Sequence, residues 1–369
     1  MRVHFVNENV GGHVTLHLHL ARALEEYRDI DAQFFAVPPA RYLRKFLTGP
    51  VPGLSRLDLD LHPLRDQLAR SLLTRRHLAR LDAPPDVLHL YTHNTALLSV
   101  GLMARQPSVV SLDVTNEQNG YRLPQRYPTR FTPLSLAPTK ALERRVYDEA
   151  TALIAQSEWA ASSLVDDYGV AAERIHVIPL GIGIPPLRSP HPSDGAAKLT
   201  FVGRSMERKG GWWLLDVWRR YLQDVSVLTL VTPEHIQSED GVEVVGDVRP
   251  GDARIFDLLA STSVYAFPSP IDPFGYSIIE AMAMAVPVVA FGQAAVPEIV
   301  EDGTTGILVS PGDARGFADA LRTLIGDPDL RQRMGEAGRA RALERFDARV
   351  TTRRLVGVLR AIGAVRQVP

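Results

Sequence analysis

Apolar and polar positions follow two different rhythms along the chain, and the two rhythms alternate. Short continuous apolar runs, typical of buried strands, are followed by longer segments with apolar residues three and four positions apart, typical of helices. This alternation indicates βαβ units and parallel sheets. In the first half the predicted strands are 3–6, 32–36, 87–90, 109–112, 152–155 and 175–178, and the predicted helices are 13–27, 64–81, 95–105, 139–149 and 158–168.

A second series of the same kind follows a segment rich in proline and glycine, 181–197, which we interpret as a linker. We expect an N-terminal domain over 1–180, a C-terminal domain over 198–345 and a closing helical segment over 346–369. Two domains joined by one linker would leave a cleft, where substrates commonly bind. The second series has predicted strands at 199–203, 225–231, 242–245, 264–267, 286–290 and 306–309, and predicted helices at 210–221, 252–260, 278–285, 313–326, 329–345 and 349–362.

The composition is that of a globular protein and disfavours several classes. A chain of 369 residues is too long for one core, and 45% hydrophobic residues suffice for two. The net charge of −1 offers no basic excess for a dedicated nucleic-acid binder. Cysteine is absent, so disulfides and thiolate metal sites are excluded. The first residues form a short strand and lack the apolar core of a signal peptide, so we expect a cytoplasmic protein.

The segment SVYAFPSPIDPFGYSIIEAMAMAVPVVA, from Ser263 to Ala290, carries the most informative pattern. It predicts a strand, a proline-rich turn, an apolar helix and another strand, which places the turn at the carboxyl edge of a parallel sheet. Asp272 lies in the turn, and Glu280 lies among apolar helix residues, where a carboxylate needs a partner. The structural alternatives are a helix cap for Asp272 and a structural hydrogen bond for Glu280. Backbone amides at the helix start are expected to be unpaired and to donate to a bound hydroxyl or phosphate: those of Phe274, Gly275 and Tyr276.

Two further turns follow predicted strands and contain glycine. Gly11 and Gly12 precede the first helix, where small residues let the backbone approach an anion; an ordinary tight turn is the alternative. In FVGRSMERKG, Arg204 and Lys209 place two cations around a turn at a strand end. This pair suits a diphosphate, with arginine as a bidentate fork and lysine as a point charge. The alternative is a solvated loop balanced by Glu207.

Polar residues also follow two strands of the first half. His89 alternates with leucines and is interpreted as a core residue, whereas His93 comes just past the strand and is the better site candidate. Asp113 occupies the corresponding position after the next strand. No histidine pair with an accompanying glutamate predicts a zinc site. The loop beyond Asp113 carries further candidate ligand contacts, which are Asn116, Glu117, Tyr121 and Arg122.

The stretch 41–80 is basic, with nine arginines and lysines against three acids. One interpretation is a solvated arginine face over an apolar helical stripe. The other is a surface for a phosphorylated or lipid-linked molecule at a membrane. Asp58 and Asp60 form an Asp-x-Asp pair of the kind that can hold a metal–diphosphate, but they lie away from a clear strand end, and we interpret the pair as a coincidence.

Three ordered segments resemble the retaining, GT-B-fold glycosyltransferases of family 4. They are FVGRSMERKGG, similar to the family's Gly-Arg…Lys-Gly segment, PSPIDPFGYSIIEAMAMAVPVVA, similar to its Glu-x7-Glu segment, and VPEIVEDGTTGILVSPGD, similar to the segment that follows. The resemblance covers nearly the whole chain. It implies an α/β fold of the GT-B type, with two Rossmann-like, doubly wound parallel-sheet domains facing a cleft and a last helix that crosses back to the first domain.

The chain departs from the family pattern at several positions. Asp272 stands where glutamate is usual, Ala294-Ala295 replaces Gly-Gly, and Asp113 stands where many members have histidine. These departures concern the specificity for the sugar and the acceptor.

The resemblance also implies a reaction and a set of roles. The protein would move a hexose from a nucleoside diphosphate sugar to an acceptor hydroxyl, with retention and without a metal or other cofactor. The leaving diphosphate would be neutralised by Arg204 and Lys209, helped by the glycine turn Gly11-Gly12. The remaining donor contacts would come from Asp272 and the amides of Phe274, Gly275 and Tyr276 on the sugar, His93 on the sugar from the first domain, Glu280 on the ribose, and Gly246 and Val248 beside the base.

The partners implied are a UDP, GDP or ADP sugar and a glycan, lipid-linked or small-molecule acceptor, with no nucleic acid. The acceptor candidates are Asp113, Asn116 and Arg122, and residues 41–80 are a candidate for peripheral contact with the inner membrane face. The alternatives are a sugar phosphorylase or a nucleotide-sugar epimerase of the same architecture, or a two-domain ligand-binding protein that closes about a hinge.

Overall fold

A computed structural model describes residues 1–10, 12–38, 47–123, 128–187, 196–237, 239–249 and 251–364. The chain divides into two compact units, with Met1–Pro179 and Thr351–Pro369 in unit 1 and Leu180–Val350 in unit 2. Some residues singled out from the sequence lie outside the described residues: Gly11, Arg41, Arg44, Lys45 and residues 188–195 of the predicted linker.

Unit 1 contains a parallel sheet whose central strands are buried on both faces. The strands are β1 (Arg2–Asn7), β2 (Asp31–Ala36), β3 (Val87–Tyr91), β4 (Ser108–Leu112), β5 (Ala152–Ala155) and β6 (Ile175–Val177). Their order is β2-β1-β3-β4-β5-β6, so the chain winds to one side of β1 and then returns to the other side. The helices are α1 (His13–Leu24), α2 (His62–Leu78), α3 (Val100–Met103), α4 (Thr132–Glu149) and α5 (Glu158–Asp166).

Unit 2 repeats the parallel arrangement with a different strand order. The strands are β7 (Ala197–Val202), β8 (Ser226–Val231), β9 (Val242–Val245), β10 (Val264–Phe267), β11 (Val288–Phe291) and β12 (Gly306–Val309). Their order is β12-β11-β10-β7-β8-β9, the order of a Rossmann sheet. The helices are α6 (Gly211–Tyr221), α7 (Arg254–Ala260), α8 (Tyr276–Ala283), α9 (Val296–Ile299), α10 (Ala314–Gly326) and α11 (Pro328–Arg345).

The last helix, α12 (Ala348–Ala364), contributes to the core of unit 1. Its Leu355 and Leu359 are buried in one cluster with Val3 and Phe5 of β1 and Val87 of β3. The face of the sheet on which these strand residues lie is thus covered in part by α12. A separate cluster, which includes Trp218 and Phe317, forms the core of unit 2.

The predicted α/β class with two doubly wound parallel sheets is confirmed, and most predicted elements agree with the structure within a few residues. The predicted helix 95–105 is wrong: a 3-10 turn, His93–Thr95, ends at its first residue, and within the range only the four-residue segment α3 is α-helical. Here side chains compete for backbone groups, since Thr92 Oγ1 accepts from the Asn94 amide at 3.3 Å. Helix α4 begins two turns earlier than predicted and continues through Pro138.

No helix within the described residues is both long enough and apolar enough to cross a membrane.

Candidate active site

The loops after β7 and β10 meet where the strand order of unit 2 reverses. From β7 the chain winds outward to β8 and β9, whereas from β10 it winds the other way to β11 and β12. Open α/β sheets bind ligands at the carboxyl ends of the strands at such a switch point. The two loops there carry Arg204, Lys209 and Asp272, the residues singled out from the sequence.

Lys209 and Asp272 join these two loops. Lys209 Nζ donates to Asp272 Oδ2, and the two side chains are only 19% and 12% exposed. Burial disfavours the charged carboxylate, but the lysine charge prevails and lowers the pKa of Asp272. The ion pair therefore keeps a cation and an anion fixed at the switch point.

The start of α8 differs from the expectation of free amides. The amides of Phe274 and Gly275 donate to Asp272 Oδ1 at 3.4 and 3.2 Å, so two of the three groups predicted to be unpaired have a partner. The turn is formed this way because Asp272 is short enough to reach back to amides two and three residues ahead. The capping function considered as an alternative for Asp272 is therefore present.

Arg204 is exposed, and no described residue forms an ion pair or hydrogen bond with its guanidinium. It lies on the same turn as Lys209. The backbone of this turn is held by Gly210, whose φ of 77° lies in the left-handed region. The turn is also tied to the loop after β8, since the Met206 amide donates to Glu234 Oε1 at 3.0 Å. A cation without a partner among the described residues is thus carried by a turn whose backbone is fixed.

Glu280 is the least satisfied carboxylate at this edge. It is half-buried on α8, and no described residue hydrogen-bonds to it. Burial raises the pKa of Glu280 to about 8. The hydroxyl of Tyr276, one helical turn earlier, is buried and also lacks a partner among the described residues. Two polar groups on one face of α8 therefore remain available to a ligand.

The residues expected to border a base follow β9, the edge strand of the sheet. Gly246 is exposed and Val248 is half-buried. Beside them Asp247 pairs with Arg254 at 2.6 Å. This segment offers backbone groups and an apolar side chain but no further buried polar group.

The sheet of unit 1 has its own switch point, between β1 and β3. Gly12 lies there at the start of α1 with φ −63°, an ordinary helical conformation. The residue after it, His13, was not considered from the sequence. Its Nδ1 lies 2.8 Å from Glu8 Oε1 and its Nε2 lies 3.5 Å from Asp113 Oδ2. The signal that would have found this cluster is the shared position of Glu8 and Asp113 just after strand ends.

His93, the site candidate predicted just past the end of β3, is buried. Its Nε2 lies 3.1 Å from Asn116 Nδ2 and 3.3 Å from Glu143 Oε1, and its Nδ1 lies 3.2 Å from the Tyr147 hydroxyl. Asn116 is also buried and bonds to Gln67 at 2.8 Å. Contact between His93 and a sugar stays a prediction, and in this arrangement it requires the ring to exchange a partner.

Three further groups of sequence candidates have structural partners. Arg122 pairs with Asp167 at 3.1 Å, and Glu117 pairs with Lys140 at 2.6 Å. His89 is a core residue as predicted, with Nε2 2.8 Å from Ser111 Oγ. In the loop at 47–62, Asp60 accepts from two amides, Val51 at 3.1 Å and His62 at 3.3 Å, and Asp58 accepts from Thr132 at 2.5 Å.

Within the described parts of the chain, no group of three or more histidine, aspartate and glutamate side chains is arranged to hold a metal ion.

Comparison with known proteins identifies the family. Residues 10–184 match the model described as Glycosyltransferase Family 4, and residues 196–327 match the model described as Glycosyl transferases group 1. Only residues 1–9, 185–195 and 328–369 lie outside the two matched segments.

Relatives and solved structures agree with this assignment. An MMP alpha-(1->4)-mannosyltransferase from Mycolicibacterium hassiacum is 31% identical over 56% of this chain and 53% of its own length. A D-inositol 3-phosphate glycosyltransferase from Kribbella flavida is 28% identical over 81% of this chain and 76% of its own. The chain thus spans about half the length of the first of these relatives.

Among solved structures, sucrose-phosphate synthase from Thermosynechococcus elongatus is 18% identical with a TM-score of 0.75, covering 99% of this chain and 100% of the other. HepE from Anabaena, solved with UDP-glucose, is 21% identical with a TM-score of 0.69, covering 98% and 100%. At these identities the likeness concerns the fold. With two parallel six-stranded sheets and family models matched in both halves, the chain belongs to the family 4 glycosyltransferases of the GT-B fold.

Proposed function

We propose that this protein is a retaining hexosyltransferase that uses a nucleoside diphosphate sugar as donor and an acceptor hydroxyl as nucleophile. The observation that carries the proposal is the switch point of unit 2. On the two loops and the helix that meet there, it combines a fixed lysine with an arginine and a glutamate that have no ion-pair or hydrogen-bond partner among the described residues.

The cations would stabilise the leaving group. The bond between the sugar C1 and the phosphate oxygen breaks, and negative charge grows on the departing diphosphate. Lys209, held by Asp272, meets that charge without reorganising, and the exposed Arg204 adds a second cation. Losing one such donor typically costs ~3–4 kcal/mol. With two cations in this position, one of them held by Asp272, the reaction needs no divalent metal.

The remaining donor contacts follow from unfilled hydrogen-bonding capacity. Glu280 would accept from the ribose hydroxyls, which relieves the cost of a buried carboxylate without partners. Asp272 already holds Lys209, but a carboxylate has about four acceptor positions, so it can also accept a sugar hydroxyl. Gly246 and Val248 would border the base.

Retention would follow from attack on the same face that the diphosphate leaves. A new bond forms between C1 and the acceptor oxygen as the C1–phosphate bond breaks, and the acceptor proton passes to the departing phosphate oxygen. This route requires no carboxylate nucleophile.

Replacement of Glu280 and Arg204 tests the assignment. Glu280→Ala and Arg204→Ala are each expected to lose transfer while keeping the unfolding temperature of a folded protein. Arg315→Ala removes an exposed arginine from α10 and serves as the matched control. Full activity of both site variants would refute the proposal. Turnover that requires inorganic phosphate would favour a phosphorylase, and turnover of a nucleotide sugar without any acceptor would favour an epimerase.

The nucleotide is the first ligand to identify. UDP heads the panel because HepE was solved with UDP-glucose. A nucleotide at about 100 times its dissociation constant stabilises the folded state by ~2.7 kcal/mol, which a thermal shift detects. GDP and ADP complete the panel, and Glu280→Ala should abolish the shift produced by the preferred one.

A cytoplasmic location and peripheral membrane contact through residues 41–80 are also part of the proposal. The membrane contact is supported by the excess of basic over acidic residues in this stretch. Anionic lipid vesicles should then retain the protein in a flotation assay, and neutral vesicles should not. Equal retention by both, or by neither, would remove this element of the proposal.

A further inference from the structure

A groove of about 590 Å³ lies along α4 in unit 1. One side is formed by the loop after β4, with Glu117 and Tyr121, and the other side by α4 itself. The loop after a strand and the start of the next helix lie at the carboxyl edge of a parallel sheet, where ligands of such folds bind. The volume is within the range of sites that hold small molecules.

Small residues on one exposed face of α4 create the groove. Ala137 and Ala141 lie one helical turn apart on this face and leave space beside the loop. Leu136 is buried, and the loop packs on it at Gly120, where an added methyl group would lie 2.9 Å from Leu136 Cδ2. Pro133 extends the apolar lining towards the start of the helix. Most of the lining is therefore apolar.

Charged side chains lie beside this apolar lining. Lys140 donates to Glu117 at 2.6 Å, so these two charges compensate each other. Arg144 is exposed, and within the described residues it donates from Nη2 to the carbonyl oxygen of Asp167 at 3.3 Å. The carboxylate of Asp167 is already paired with Arg122 at 3.1 Å. These three cations and two carboxylates give a net charge of +1, and the cation without a counter-charge is Arg144.

The groove therefore fits a ligand that has an apolar body and an anionic group. Arg144 Nε and Nη1 make no hydrogen bond within the described residues, and a guanidinium fork matches carboxylate or phosphate oxygens. Tyr121 adds an aromatic surface and a hydroxyl that stays protonated, because burial and the charge of Glu117 raise its pKa. A neutral sugar would leave the charge of Arg144 without a partner. An anion without an apolar body would leave the face with Ala137 and Ala141 in water.

The position of the groove relates it to the acceptor. The donor contacts of the proposed function lie in unit 2, whereas the groove lies in unit 1. The loop that lines it also carries Asn116 and Arg122, which were acceptor candidates from the sequence, but other side chains of unit 1 already bind both. Glu117 and Tyr121, which come between them in the sequence, line the groove instead.

We propose that this groove binds the acceptor, and that the acceptor carries a carboxylate or phosphate group on an apolar body. Arg144 binds the anionic group, and the face with Ala137 and Ala141 contacts the apolar body. The inference rests on the proposed function, which supplies the transfer to an acceptor hydroxyl. Among the acceptor classes considered from the sequence, it disfavours a neutral glycan.

Binding of 1-naphthyl phosphate to the full chain tests the ligand class. This probe joins an apolar ring system to an anion, and ligand-observed NMR measures its dissociation constant. The constant should be at least about tenfold lower than that of neutral 1-naphthol, the effect of a hydrogen bond to a charged group. Inorganic phosphate at the same concentration should not displace the probe. Equal affinity for the probe and 1-naphthol, or displacement by phosphate, would overturn the proposal.

Two substitutions locate the bound probe. Arg144→Gln removes the cation without a counter-charge, and Ala141→Leu occupies the groove without changing its charge. Each should weaken binding of the probe at least about tenfold, the first through the lost charged hydrogen bond. Arg145→Gln, at the neighbouring exposed position of α4, and Arg204→Ala, at the donor site of unit 2, should bind the probe as the wild type does. Full binding by both groove variants, or loss of binding in Arg204→Ala, would place the probe elsewhere and overturn the proposal.

Kinetics then test the assignment to the acceptor. Arg144→Gln should raise the KM of the acceptor about tenfold with a smaller change in kcat, because the contact is made equally before and during transfer. The KM of the donor should stay unchanged, and Arg145→Gln should change neither. A raised donor KM, or unchanged KM values in a folded Arg144→Gln, would overturn the inference and leave the donor site of unit 2 untouched. Failure of the proposed function is recognised separately, by full transfer in Glu280→Ala and Arg204→Ala.

Discussion

Lys209 and Asp272, 63 residues apart in sequence, form an ion pair that links the loops after β7 and β10. The same carboxylate accepts from the amides of Phe274 and Gly275. One short acidic side chain therefore fixes both the cation of the β7 loop and the start of α8. A glutamate, one methylene longer, would place its oxygens differently relative to those amides.

Asp272→Asn should cost stability as well as activity. It leaves Lys209 partly buried without a counter-charge, which we expect to lower the free energy of unfolding by ~1–3 kcal/mol. Transfer should fall about a hundredfold because the lysine is no longer held at the leaving group. Urea unfolding and kcat measure the two effects. The double variant Lys209→Met/Asp272→Asn should be less destabilised than the sum of the singles, and strict additivity would show that the pair is not coupled.

Because the pKa of Glu280 is raised, we expect the free energy of unfolding to fall as the pH rises. Its pKa is raised from 4.5 to about 8, so the folded state keeps a proton that the unfolded state releases between these values. The stabilisation is complete below pH 4.5 and is lost as the pH rises through 8. Glu280→Gln cannot titrate, so its unfolding temperature should gain on that of the wild type across this range. Glu207→Gln, at an exposed position, should run parallel to the wild type. A constant difference between Glu280→Gln and wild type would contradict the raised pKa.

Gly210→Ala should disturb the β7 loop. Gly210 has φ 77°, and an added methyl group would overlap the carbonyl oxygen of Pro268. The left-handed backbone alone costs ~1–2 kcal/mol for alanine, and the overlap adds to it. Because Lys209 is the preceding residue, kcat should fall together with the unfolding temperature. Gly326→Ala, at the end of α10 with open space around it, should leave both nearly unchanged. Equal effects of the two substitutions would show that the contact with Pro268 does not constrain the loop.

Because His89 is buried in the core of unit 1, we expect the stability of the protein to fall in acid. Burial, with a smaller contribution from His17, lowers the pKa of His89 to about 3. Below pH 6.5 the unfolded chain binds a proton at this residue and the folded chain does not, so stability falls as the pH drops from 6.5 towards 3. The loss for one such group is about 2 kcal/mol at pH 5. His89→Gln should remove this part of the pH dependence in urea unfolding, and His235→Gln should retain it. An unchanged slope for His89→Gln would contradict the prediction.

Much of the fold follows from local patterns. The central strands of both sheets are short apolar runs, and their burial on both faces is why the runs are continuous. The helix predicted over 95–105 fails because Thr92 and Asn94 offer the backbone local alternatives that periodicity does not record. The earlier start of α4 was missed because the segment around Pro133 and Pro138 lacks the usual signals of a helix interior.

The candidate site was predictable as a set of residues but not as a set of contacts. Arg204, Lys209, Asp272 and Glu280 were found from strand-end positions and the family resemblance. The pairing of Lys209 with Asp272 depends on β7 and β10 being neighbours in the sheet, and no local sequence pattern predicts strand order. For the same reason the contact between His13 and Asp113 could not be predicted, because Asp113 lies 100 residues further along the chain.

The position of α12 bears on how the protein is made. Leu355 and Leu359 of α12 contribute to the core over β1, although β1 is translated before unit 2 and α12 is translated after it. Domains generally fold as units during synthesis, N-terminal ones first. In unit 1, by contrast, Val3 and Phe5 lack their contacts with α12 until all of unit 2 has been translated. The core over the first strand of unit 1 is thus among the last parts of this unit to be completed, because α12 is translated only after unit 2.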